Sequence, residues 1–186
     1  MVALYSLWLP ILLSAVLVFV ASSIIHMATS WHKNDFATVP NEQKVMDTLR
    51  SFAIPPGDYA MPHPKDMADM KSPQFQEKMN KGPVMVFTIA PSGPFSMGRS
   101  LTQWFVFSLV VSFFAAYVAA ATLAPGAAYL RVFQVAGTVA FIGYSFALWP
   151  TSIWYHRSWA TTIRSTIDGL IYGLLTAGAL GWLWPR

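Results

Sequence analysis

The chain has 186 residues, 55% hydrophobic and only 11% charged, with a mean hydropathy of +0.46 and a formal net charge of +4. That is too apolar for an ordinary soluble domain of this length, so the sequence predicts an integral membrane protein. The absence of Cys excludes disulfides, thiolate metal sites and a cysteine nucleophile, and the acidic residues that accompany most of the Lys and Arg speak against nucleic acid as a partner.

The first apolar run, Leu4 to Met27, lacks Lys or Arg before its apolar core and exceeds the usual length of a signal-peptide core, so it reads as a retained first span. Pro10 lies near its start, where a lost backbone N–H matters least. Residues 28–100 form the one extramembrane segment of any size. It is short of apolar residues for a core of its own and is expected to fold onto helix ends or a partner. Within it, Val45, Leu49 and Phe52 recur at helical spacing after Asn41, a candidate N-cap, which predicts a short amphipathic helix ended by Pro55-Pro56-Gly57. Ser72-Pro73 reads as a helix start and Gly82-Pro83 as its stop, bracketing a second helix around Gln74 to Lys81. Val84 to Ile89 reads as a strand, with Asp58 to Met61 as its partner.

The second span runs from about Leu101 to Leu123, with Ser108, Ser112, Ala116 and Ala119 roughly on one side. Ala124-Pro125-Gly126-Ala127 is a tight turn that makes spans two and three an antiparallel hairpin. The third span, about Leu130 to Trp149, is expected to close at Pro150, and a short loop leads into the fourth, 165–184. In that last span Gly169, Gly173, Ala177 and Gly181 recur every fourth residue and line up as a groove for close helix packing, against the first span or a second copy. Asp168, Tyr172 and Thr176 form the neighbouring stripe. It should face protein, because an ionised Asp in mid-bilayer costs about 2.5–3.5 kcal/mol on insertion scales.

The fold class expected is thus an all-α membrane protein: a four-transmembrane-helix bundle with a mostly helical extramembrane segment between spans one and two, forming a single membrane domain. The eight Trp residues fall near the ends of the apolar runs, as an aromatic belt requires. Of the Lys and Arg residues, ten lie in the first and third loops and only Arg131 and Arg186 on the other side, which puts both termini outside and the large loop in the cytoplasm.

The runs LWLPILLSAVLVFVASSIIHM and IDGLIYGLLTAGALGWLWP, with PHPKDM and the hairpin of spans two and three, resemble an uncharacterised family of small bacterial four-span membrane proteins. The resemblance covers nearly the whole chain. It implies a bacterial inner-membrane setting and carries no activity or catalytic residue across.

For chemistry, all four His fall on the expected inner side, and a rise of about 1.5 Å per residue puts His26 and Asp168 at similar depth. His26, His63, His156, Asp66 and Asp168 are therefore candidates to converge on a transition metal, since imidazole with carboxylate suits Zn, Fe or Mn. The plainer alternative is that His26 bonds a neighbouring backbone group and Asp168 pairs with Arg164 one turn earlier. Met61, His63, Met67 and Met70 offer soft ligands for Cu(I), but no Cys accompanies them and Met also fills adaptable apolar surfaces. Ser22, Ser23 and Ser112 read as interhelical hydrogen-bond partners, since no Gly-x-Ser-x-Gly turn is present, and neither nucleotide fingerprint occurs. The function expected is a non-enzymatic accessory or assembly subunit whose partners are the lipid bilayer and other membrane subunits or a second copy. The runner-up is a metal-dependent enzyme or metal-binding protein using the inner-face His and Asp.

Overall fold

The computed structural model describes residues 2–186, which divide into two compact units, residues 2–37 with Ser96–Arg186, and Thr38–Phe95. The larger unit begins with α1 (Trp8–Ser23), entered through a 3-10 turn at Leu4–Leu7 and continued by a wider π turn at Ile24–Ala28. The smaller unit holds α2 (Glu42–Ser51), β1 (Gly57–Met61), α3 (Met67–Met70), α4 (Pro73–Lys81) and β2 (Met85–Ile89). The larger unit resumes with α5 (Met97–Thr122), α6 (Tyr129–Ser145), α7 (Trp149–Tyr155) and α8 (Trp159–Trp182).

Three helical runs are long and apolar enough to cross a membrane: Leu4–Ala28, Met97–Thr122 and Tyr129–Tyr155. Helix α8 has 24 residues but is not among them; Arg164 and Asp168 and its run of Gly and Thr dilute its hydropathy. Packing inside the larger unit reverses that of a water-soluble core. Small residues fill the interior, among them Ser14, Ala15, Ala115, Ala116, Ala119, Ala136 and Ala140, while Val16, Leu17, Val110, Phe114 and Ile142 point outward. Helices in lipid gain contacts by backbone approach and van der Waals fit and not by hiding apolar surface, so small residues belong between them.

Helix α8 packs against α1 and α6, and α5 packs against the same two helices. The tightest of these pairings is α6 with α8. A Cβ added at Gly137 would come within 2.9 Å of the Ala177 side chain, one at Gly173 within 3.1 Å of the Phe141 backbone nitrogen, and one at Gly181 within 2.8 Å of the Tyr129 ring. At Gly169 it would collide with the Ser145 hydroxyl. The glycine ladder is therefore a close contact, but its partner is α6 and not the first span. The connection through short α7 makes α6 and α8 neighbours, and Gly137 supplies the matching small surface.

The third span differs from expectation at its end. Pro150 does not stop it: a 3-10 turn at Phe146–Leu148 runs into α7, where Pro150 sits in the first turn, a position that needs no backbone donor. The loop before α8 shrinks to residues 156–158, and His156 makes the turn with a φ of 55°. The other connection behaves as read, since α5 ends at Thr122 and a turn with Gly126 at a φ of 73° returns the chain as α6. At that end the Trp184 indole donates to the Ala124 carbonyl at 3.0 Å, and the Gly126 N–H donates to the Pro185 carbonyl at 2.8 Å.

In the smaller unit β1 and β2 pair antiparallel from Gly57↔Ile89 to Met61↔Met85, the pairing expected between Asp58–Met61 and Val84–Ile89. The opposed rings of Tyr59 and Phe87 stack at 5.6 Å, and Thr88 Oγ1 donates to Asp58 Oδ1 across the pair. Ser72 caps α4 by accepting the Phe75 N–H, with Pro73 in the first turn and Gly82 after the end, as its sequence requires. Asn41 precedes α2, but its side chain caps nothing, because its left-handed backbone turns the amide away from the free N–H groups.

Candidate functional site

The strongest concentration of polar side chains in the larger unit lies where the chain leaves α1. Thr29 takes extended backbone angles and ends the helical run. Its hydroxyl donates to the Ile25 carbonyl at 2.5 Å and accepts the Trp31 N–H at 3.2 Å. Two tight turns follow, closed by Lys33 N–H to the Ser30 carbonyl and Asp35 N–H to the His32 carbonyl. Together they fold Trp31, His32 and Asp35 back against α8.

There they meet Asp168, which is only 3% exposed. Nε2 of His32 lies 2.7 Å from Asp168 Oδ2, and the Trp31 indole N–H donates to Asp168 Oδ1 at 3.0 Å. On the other edge of the ring, His32 Nδ1 lies 2.7 Å from Asp35 Oδ2. Arg164 Nε donates to Asp35 Oδ1 at 2.9 Å, and Nη2 donates to the same oxygen. Burial alone would push the Asp35 carboxyl up, but the hydrogen bonds and charges of His32 and Arg164 together hold it below the usual carboxylate range.

His26 stands beside this network, in the π turn after α1. Its ring stacks on that of His32 with centroids 4.2 Å apart and planes within 9°. Its Nδ1 lies 3.0 Å from the Ser22 carbonyl oxygen, which can only accept, so Nδ1 carries the proton and Nε2 the lone pair. On its other side is a groove of about 370 Å³ lined by Ser22, Ser23, Met27, Met97, Leu101 and Trp104 as well as His26. The Trp104 indole donates to Ser22 Oγ at 2.8 Å, and Ser22 and Ser23 both donate to the Phe19 carbonyl, so these serines serve as hydrogen-bond partners.

Of the sequence candidates, His26 and Asp168 come together, joined by His32: one donor atom from each lies within 4.8 Å of the others. His156 is an exposed turn residue after α7. His63 and Asp66 belong to the smaller unit, where both are exposed and Asp66 caps α3 by accepting the Asp69 N–H at 2.7 Å. The expected pairing of Asp168 with Arg164 is replaced by His32 and Trp31 on Asp168 and by Asp35 on Arg164. A basic residue one turn before an acidic one is the weaker helical order, so an outside carboxylate competes well for the guanidinium. His32 is the residue that depth along a straight helix overlooks. The signal for it is local: WHKND directly after the first span puts His and Asp three residues apart, within reach across one turn.

No family model matches the chain, and neither a curated protein nor a solved structure does.

Proposed function

We propose that the chain is a four-span integral protein of a bacterial inner membrane, with both termini outside and residues 38–95 in the cytoplasm, acting as a non-enzymatic accessory or assembly subunit. The observation that carries this reading is the make-up of the smaller unit. Among its described residues a single apolar side chain, Phe75, is buried. On α2, Val45 and Leu49 stand out along one face, continued by Phe52 at the helix end, which is 67% exposed. A segment of this size with one buried apolar side chain has little core to stabilise it alone, and an uncovered amphipathic helix is a docking element. The charged and aromatic N–H groups around Asp168 in the larger unit are meanwhile engaged with one another, as expected of a scaffold.

The test is photo-crosslinking from position 52 in intact membranes, with the full chain then purified in mild detergent. One protein crosslinked in fixed proportion, and lost on Leu49→Asp, supports the reading. Crosslinks to lipid alone, or none, would overturn it.

A further inference from the structure

We propose that His26, His32 and Asp168 form a three-ligand site for a divalent first-row transition ion such as Zn²⁺ or Fe²⁺. The inference goes beyond the accessory role and does not depend on it.

Three observations beyond proximity point to an ion. Metal-bound imidazoles characteristically donate their second N–H to a carbonyl or carboxylate, which fixes ring orientation and raises donor strength. Both histidines have this arrangement, His26 through Nδ1 to the Ser22 carbonyl and His32 through Nδ1 to Asp35, itself held by Arg164. Each is thereby left with Nε2 as the ligating nitrogen. Asp168 is oriented in the same way, Oδ1 accepting the Trp31 indole N–H while Oδ2 faces His32 Nε2 at 2.7 Å. Every ligand thus has one donor atom anchored to the protein; the free atoms of His32 and Asp168 face each other, and His26 lies stacked on His32. Two imidazoles and one carboxylate, with no thiolate, select Zn²⁺ or Fe²⁺ over Ca²⁺ and Mg²⁺, which prefer all-oxygen sites.

The ion would replace the direct hydrogen bond between His32 Nε2 and Asp168 Oδ2, and tetrahedral ligation at about 2.0–2.1 Å sets two such atoms about 3.3 Å apart, so this pair must open from 2.7 Å. The nitrogen lone pairs lie in the ring planes, and two parallel planes 4.2 Å apart cannot meet at one ion, so loading requires the rings to tilt out of their stack. His26 has room for this, being exposed and set in a widened turn of the kind that recurs at functional sites.

The experiment uses the full-length protein in detergent, stripped with chelator, and titrated with Zn²⁺ by calorimetry and with Co²⁺ by visible absorption. The expected result is one ion per chain at micromolar concentration and ligand-field bands for Co²⁺. His26→Ala should abolish binding, and since its one hydrogen bond lies within its own helix, losing its stack on His32 should lower the detergent melting temperature only slightly. Asp35→Asn should weaken binding by about 10- to 100-fold by loosening His32. His63→Ala and His156→Ala should bind as the unmodified chain does. Failure to bind either ion at micromolar concentration would overturn the proposal, as would binding that survives His26→Ala or is lost in His63→Ala or His156→Ala.

Discussion

Asp35 connects a charge to the acid stability of the larger unit. Its carboxyl titrates lower in the folded chain than the usual 3.8, because the pull of His32 and Arg164 outweighs the opposing effect of burial. A depressed carboxylate stabilises the fold fully above its unfolded value, and that contribution disappears as pH falls through the folded value. Melting temperature in detergent should therefore fall as pH drops through 4 and below, and Asp35→Asn should flatten that part of the profile; an unchanged profile in the variant would refute the assignment. Tyr172 poses the opposite case. It is buried beside Trp104 and Tyr144, and its hydroxyl, like that of Ser112, has no hydrogen-bond partner among the described residues. Burying a hydroxyl unpaired costs about 1–3 kcal/mol by protein measurements, so Tyr172→Phe is expected to leave stability unchanged or raise it. A drop of several degrees on calorimetry would mean that the hydroxyl has a working partner.

At the scale of elements, the α6–α8 seam makes an equally direct prediction. Leu at position 173 must displace the Phe141 backbone, and overpacking of this kind costs about 1–3 kcal/mol. Gly173→Leu should lower the detergent melting temperature clearly, whereas Leu174→Ala, whose side chain is 47% exposed, should change stability by less than about 0.5 kcal/mol. Equal tolerance of both would show that the seam is not tight. The ladder was readable because a four-residue repeat of small side chains is a local pattern. Its partner was not, because the choice between α1 and α6 depends on how α7 turns the chain, and Pro150 reads equally well as a stop or as a first-turn residue. The same division holds at the site. Asp168 announces itself as a charge in an apolar run, and its stripe with Tyr172 and Thr176 is buried as its position implies. That His32 reaches it depends on two turns after Thr29, which no periodicity encodes.

For the whole molecule, the proposed topology places Arg186 outside and residues 60–80 inside. Reporter fusions at those two places should give outside activity at the C-terminus and inside activity in the loop, and the reverse at the C-terminus would rule out four spans with this orientation. Helix α8 is held at both ends, by His32 and Asp35 near its start and by the Ala124–Gly126 turn near its finish. It is also the one long helix that does not qualify as a span by hydropathy. Together these facts bear on biosynthesis. Helix α8 carries a buried carboxylate and too few apolar residues to enter lipid readily by itself, and it leaves the ribosome after its partners from residues 31–35 and 124–126 have been made. Its integration should therefore be assisted by the earlier helices. Fused alone behind a neutral carrier, residues 157–186 are expected to insert poorly, and to insert well when the preceding chain is present.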